Sequence, residues 1–156
     1  MACHRVMMRE IGMKKVEGFT LVELAAVVLV LGILLAVALP SYQKHVTRSY
    51  RSEGMALLND AAARQERFFA QNNSYVTTAA SIADLGLPNT SGTTVTSTTG
   101  KYSLTVGTAA NDGGYTLTAG RQGPQLRDTE CGDLTLDATG RRGATATGAD
   151  VDACWR

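Results

Sequence analysis

The chain has 156 residues, with 15 basic and 14 acidic side chains and a formal net charge of +1, enough for one folded domain with attachments. That balance carries no overall signature of a nucleic-acid or other polyanion binder. Two histidines and three cysteines, with no C-x-x-C, P-loop or G-x-G-x-x-G pattern, offer little to a catalytic or metal centre, and no enzyme activity is expected.

The charge is uneven. Residues 1–18 carry 4 basic and 2 acidic side chains, whereas residues 19–156 carry 11 and 12. Behind this basic leader, Phe19 to Leu39 form a run of 21 residues with Glu23 as its single charge. As a helix the run extends about 31 Å, close to the hydrocarbon thickness of a bilayer. Cations before it and a polar portion after it predict a single pass, with the N-terminus cytoplasmic and the C-terminal part outside. Ala36-Val37-Ala38 also fits an A-x-A cleavage pattern, which leaves open a soluble secreted binding domain released after Ala38. A carboxylate in such a span costs about 2.5–3.5 kcal/mol at mid-membrane, and less near a helix N-terminus, where the dipole favours it. Neither a plain signal nor a plain anchor gives Glu23 a purpose.

Gly32 weakens the helix, and Pro40 cannot donate to the carbonyl of Ala36, so a helix break or bend is expected there. From residue 40 to about Ala70 the pattern turns amphipathic. Val46, Tyr50, Gly54, Leu57, Leu58, Ala61, Ala62 and Phe69 follow three- and four-residue steps, while Lys44, Arg48, Arg51, Arg64 and Arg67 take other faces. His45, just past the apolar run, has no serine–acid constellation to join. The reading is one helix of about 50 residues, apolar all round in its first half and striped in its second.

Residues 71–100, rich in Asn, Ser, Thr and Gly, read as a long loop with a short helical turn at Ser81–Leu85. Tyr102–Val106 and Tyr115–Ala119 alternate as strands around the hairpin signal Asn111-Asp112-Gly113-Gly114. Leu134–Asp137 is a third strand, and Ala138-Thr139-Gly140 turns it toward a poorly marked last segment within the head, residues 101–156. The expected class is α+β: a long N-terminal helix packed on a small antiparallel sheet.

In an oxidising compartment Cys131 and Cys154 read as a disulfide worth roughly 3 kcal/mol by loop closure, with two free buried thiols as the alternative. Asp150 and Asp152, with Asp133 and Asp137, offer oxygen ligands to calcium, but EF-hand spacing is absent and a solvated acidic loop is the expectation. Arg121, Arg127, Arg141 and Arg142 offer contacts to phosphate, but Asp128, Glu130 and Asp137 are interleaved with them. A mixed-sign surface is expected there rather than a DNA site.

Lys14-Lys15-Val16-Glu17-Gly18-Phe19-Thr20-Leu21-Val22-Glu23-Leu24, with the apolar run to Leu39-Pro40-Ser41-Tyr42, resembles the N-terminus of type IV pilins and pseudopilins. Farther on, residues 63–75, Tyr115–Ala119, Cys131–Asp137 and Cys154-Trp155 look like segments of PilE-type minor pilins. The resemblance implies the type IV pilin fold. It implies a leader, residues 1–18, cut after Gly18 by a prepilin peptidase, and N-methylation of Phe19. It implies that Glu23 meets the N-terminal amine of a neighbouring subunit, which relieves two costly buried charges at once. The stretch Gly32–Pro40 is expected to loosen in the filament. The implied role is a minor pilin in pilus biogenesis, twitching motility and adhesion. Its implied partners are other pilin and minor pilin subunits, the peptidase, the inner-membrane assembly machinery and, before assembly, membrane lipid. No cofactor is implied. A pseudopilin of type II secretion shares this N-terminus and stands as the second reading. The leader is long for the class, and Met13 before Lys14-Lys15 points to Met13 as the true start.

Overall fold

The computed structural model describes residues 18–156. The proposed start at Met13, Cys3, His4 and the leader through Glu17 lie outside the described residues. The chain divides into two compact units, one ending at Pro40 and one running from Ser41 to Arg156. The first helix, α1, spans Leu21–Asn72, with Pro40 inside it, and contributes to both.

In the first unit every described residue through Pro40 is exposed, apolar side chains included. The segment Leu21–Leu39 is hydrophobic on all sides, the pattern of a helix that needs lipid or other helices around it. It is long and apolar enough to cross a membrane.

The second unit is a head built on one antiparallel sheet of six strands in sequential order. They are β1 (Thr90–Ser91), β2 (Thr94–Thr96), β3 (Tyr102–Gly107), β4 (Thr116–Arg121), β5 (Leu134–Asp137) and β6 (Arg142–Ala144). A second helix, α2 (Val151–Cys154), ends the chain, and 3-10 turns cover Ala79–Leu85 and Gly123–Arg127. Period-two alternation buries Tyr102 and Leu104 on β3 and Leu117 and Ala119 on β4. Register aligns one apolar row across the sheet: Val95 pairs with Leu104, Leu104 with Ala119, and Ala119 with Leu134. The head half of α1 lays Leu57, Leu58 and Ala61 into the same core as this row. Gly54 permits close approach, because a Cβ there would stand 3.1 Å from the Tyr102 ring.

The expected third strand is found as read, and the two alternating segments form β3 and β4. Two corrections concern elements. Residues 71–100 are not a plain loop, since β1 and β2 lie within them, and the poorly marked end resolves into β6 and α2. A third concerns the stripe. Arg51, expected on a polar face, is buried, and so is Gln65, whereas Phe69 is 38% exposed. The physical reason is that both polar side chains find full sets of partners. Gln65 Nε2 donates to the Val76 carbonyl at 2.6 Å, and Val76 N–H donates back to Gln65 Oε1 at 2.9 Å. This two-bond clamp ties the chain after α1 to the helix without stranding a polar atom.

The β3–β4 hairpin turns where expected. Asp112 accepts from the N–H groups of Ala109 (2.6 Å) and Gly114 (2.9 Å) and from the Thr116 hydroxyl (3.0 Å). Gly114 has φ of 134°, and a Cβ there would stand 2.6 Å from the Tyr75 ring. Both backbone conformation and space therefore demand glycine.

Candidate functional site

The N-terminus of α1 is capped by its own sequence. Thr20 Oγ1 accepts from the Glu23 N–H at 3.2 Å, and the Thr20 carbonyl accepts from the Leu24 N–H at 3.1 Å. Thr20-Leu21-Val22-Glu23 has the order of a capping box, and Glu23 lies in the first helical turn, where the dipole favours a carboxylate. Gly18, Phe19 and Thr20 precede the helix, and Phe19 is 83% exposed. A Cβ on Gly18 or Gly32 would meet nothing within 4 Å, so packing within this chain requires glycine at neither position. The capping signal, a threonine three residues before a glutamate, was present in the sequence and is missed when the motif is read only for its charge.

In the head, the segment Gln122–Cys131 is held against α1 by a buried ion pair. Arg51 Nε and Nη2 donate to the two oxygens of Asp128, each at 2.7 Å, and Nη2 also donates to Glu130 Oε2 at 2.7 Å. Arg51 is 3% exposed, and the Asp128 side chain is buried as well. The bonds that Arg51 donates to Asp128 raise the Arg51 pKa above its ordinary value against the opposing effect of burial. The Arg51 bond holds the Glu130 carboxyl below its ordinary range. Gln125 Nε2 donates to the Tyr102 hydroxyl at 2.9 Å and to the Thr47 carbonyl at 3.2 Å. Burial pushes the Tyr102 phenol up to about 12. Neutral tyrosine, neutral glutamine and a compensated ion pair thus fill the junction with no unsatisfied buried side-chain atom among the described residues.

Cys131, next to this junction, is joined to Cys154 by a disulfide, with Cα atoms 5.7 Å apart. Trp155 Nε1 donates to the Gly143 carbonyl at 2.9 Å, and the Arg142 guanidinium lies 5.1 Å from its ring centroid. The last turn of chain is therefore fastened to β6 and, through the disulfide, to the segment before β5.

The acidic residues grouped by the sequence are not brought together as a calcium site. Asp133 pairs with Arg121, Asp137 pairs with Arg141, and Asp150 caps α2 by accepting from Ala153 N–H at 3.1 Å. Asp128, Glu130 and Cys131 do lie close together, but the disulfide uses Cys131 and Arg51 engages both carboxylates. The four C-terminal arginines do not form a patch either. Arg121 and Arg141 are in ion pairs and Arg142 lies on Trp155, which leaves Arg127 exposed and outside those contacts.

The family described as "Type IV minor pilin ComP, DNA uptake sequence receptor" matches residues 40–135, more than half of the chain. The "Prokaryotic N-terminal methylation motif" matches residues 13–39. The chain is 38% identical over 78 residues to the type IV wide pilus major component PilA4 of Thermus thermophilus, covering 50% of this chain and 60% of that protein. It is 41% identical over 59 residues to the type IV major pilin PilA of Myxococcus xanthus, covering 38% and 27%. It is 54% identical over 41 residues to the fimbrial protein EcpC of Eikenella corrodens, covering 26% and 27%. In each case the match spans less than two thirds of the relative's own length. The capped apolar helix, the six-stranded head, the disulfide and the two family matches agree: the chain belongs to the type IV pilin family.

Proposed function

We propose that the chain is a minor subunit of a type IV pilus. A prepilin peptidase cuts after Gly18, and the new N-terminal residue, Phe19, is methylated. The subunit is then stored in the inner membrane by Phe19–Leu39, with its head in the periplasm. Assembly machinery moves it into a filament, where the apolar helices bundle and the heads cover the surface, in the service of pilus biogenesis, twitching motility or adhesion. Glu23 accepts the N-terminal ammonium of a neighbouring subunit and so sets the register. A contact of this head-to-tail kind does not close on itself and propagates as a fibre. Gly32 and Pro40 mark the stretch that loosens during packing.

The observation that carries this reading is the match of the methylation motif to residues 13–39 together with an apolar helix segment that buries nothing in its own chain. The test is intact mass and N-terminal peptide mapping of protein from cells that hold a prepilin peptidase. The expected mature chain begins with N-methylated Phe19. A chain uncut at Gly18, or one beginning at Leu39, would overturn the reading, the latter in favour of a secreted domain. Recovery from sheared surface filaments separates a pilus subunit from a type II secretion pseudopilin.

A second reading, favoured by the words "DNA uptake sequence receptor" in the family description, is that the head also binds DNA. Arg51, Arg64, Arg121 and Arg141 are already in ion pairs, so the cations available to phosphates are others, chiefly Lys44, Arg48, Arg67 and Arg127. Gel-shift titration of the protein with duplex DNA at two salt concentrations tests it. Salt-sensitive binding is the expected result, and its absence at low salt removes the reading.

A further inference from the structure

The head contains a groove of about 440 Å³ whose walls are the stretch Gln43–Arg51 of α1 and the segment Pro124–Glu130. Its lining carries four cations, Lys44, Arg48, Arg51 and Arg127, against two carboxylates, Asp128 and Glu130. Arg51 engages both carboxylates from within the head. Lys44, Arg48 and Arg127 are exposed and take part in no ion pair among the described residues. Elsewhere in the head Arg64, Arg121 and Arg141 each have a carboxylate partner. The groove's lining therefore has an excess of two positive charges, with Glu130 bonded to Arg51 and also under the influence of Arg48.

The place of these cations in the chain is informative. Lys44 and Arg48 follow Pro40 by one and two helical turns, directly after the apolar run. If the head is translocated, they flank the span on the side where lysine and arginine count against correct insertion. A bound anion would offset that unfavourable charge. In a subunit held in a bilayer, residues this close to the end of the span lie at the level of the lipid headgroups. The groove also offers Val46, Tyr50 and Pro124, apolar or amphipathic surface beside the charges. Tyr42, exposed nearby in sequence, is of the type that populates membrane interfaces.

From this geometry we infer that the groove holds the phosphate of an anionic phospholipid of the periplasmic leaflet while the subunit is stored. The inference rests on the membrane-held state proposed above. The phosphodiester oxygens accept hydrogen bonds from Lys44 Nζ and from the guanidinium groups of Arg48 and Arg127. The glycerol and upper acyl carbons lie against the apolar wall, and the stems of the same cations add to it. Bound lipid neutralises the cations that follow the span.

The test is native mass spectrometry of the full chain released from nanodiscs made of equal parts phosphatidylglycerol and phosphatidylcholine. Retained phosphatidylglycerol should exceed phosphatidylcholine roughly tenfold. The triple variant Lys44→Gln, Arg48→Gln, Arg127→Gln should lose that preference while keeping its heat-unfolding midpoint. A control variant, Arg67→Gln, Arg142→Gln, Arg156→Gln, removes the same charge elsewhere and should keep the preference. Equal retention of the two lipids by the wild type, survival of the preference in the triple variant, or its loss in the control overturns the inference. So does a wild type that shows no lipid preference but binds duplex DNA through the same three residues, which assigns the groove to nucleic acid. A chain that does not enter the discs overturns the membrane-held reading itself, an outcome distinct from equal retention.

Discussion

The two halves of α1 share one helix and almost nothing else. Before Pro40 no described residue is buried, and the surface is apolar on every side. After it the same element buries Arg51, Gly54, Leu57, Leu58, Ala61 and Gln65 in the head. The first half has its hydrophobic demand unmet within the chain, so its environment must come from lipid or from other subunits. The second half meets that demand with its own sheet. Charge follows the same division. Glu23 is exposed and makes no ion pair among the described residues, whereas Arg51 is compensated internally by Asp128 and Glu130.

If the halves are independent in this way, damage to one should leave the other intact. The largest effect is expected from Glu23→Gln. In the filament proposed above, loss of the carboxylate would leave an ammonium unpaired, a penalty of about 3–5 kcal/mol per contact. Counts of sheared surface filaments should fall by two orders of magnitude or more, with the heat-unfolding midpoint of the head unchanged. A shifted midpoint would show that the first half does contribute to head stability.

Arg51→Met inverts that experiment. It leaves Asp128 buried without its cation and should destabilise the head by about 3–5 kcal/mol in denaturant titration. The double variant Arg51→Met, Asp128→Leu should recover most of the loss, since apolar replacement of both partners is often neutral. Failure of that rescue would mean that Asp128 acts chiefly through its bond with the Cys131 N–H. Cys131→Ser with Cys154→Ser follows at about 3 kcal/mol by loop-closure entropy.

Acid should act on the head by a smaller, graded amount. Glu130 is held below its ordinary range by Arg51, and Asp112 by the Ala109 and Gly114 N–H groups. For Glu53 and Asp137 burial pushes upward, but bonds from Thr99 and from Thr139 and Arg141 outweigh it, and both are also lowered. A group whose folded pKa lies below its unfolded value binds fewer protons when folded. Its contribution is complete above the ordinary values of 4.5 for glutamate and 3.8 for aspartate and is lost as pH falls through the lowered folded values. Denaturant midpoints should therefore be level from neutral pH to about 5 and decline below that. A decline beginning above pH 6 would contradict this assignment. The smallest effect is expected from Gly32→Ala, which should favour the helix by about 1 kcal/mol. It should slow hydrogen exchange over residues 32–40 and leave the head untouched.

Much of this was legible in the order of the residues, and the exceptions are instructive. The span, the hairpin at Asn111–Gly114 and strand β5 rest on patterns of a few neighbouring residues, and so does the cap at Thr20, which a reading of the motif for its charge alone passes over. Strands β1 and β2 were not legible, because two and three residues of Thr, Ser and a lone Val95 carry no alternation. Their pairing is supplied by β3, through Val95 against Leu104. Arg51 and Gln65 were hidden for a different reason. Residues 51, 54, 58, 61 and 65 step by three and four along one face of α1, and all are buried. Apolarity alone drops the two polar members from that stripe, whereas spacing retains them.

Local chemistry was sufficient to dictate a helix that is apolar, then amphipathic, followed by a small antiparallel sheet, because hydrophobic period and turn residues act over short distances. Packing alone decided which charges are structural and which are free. Arg51 meets Asp128 across 77 positions of chain, a separation over which no local pattern operates, and Arg121 is likewise neutralised by Asp133, whereas Arg141 meets its near neighbour Asp137. Lys44, Arg48 and Arg127, in no ion pair among the described residues, gather around one groove, a grouping that exists only once α1 and the segment Pro124–Glu130 lie side by side.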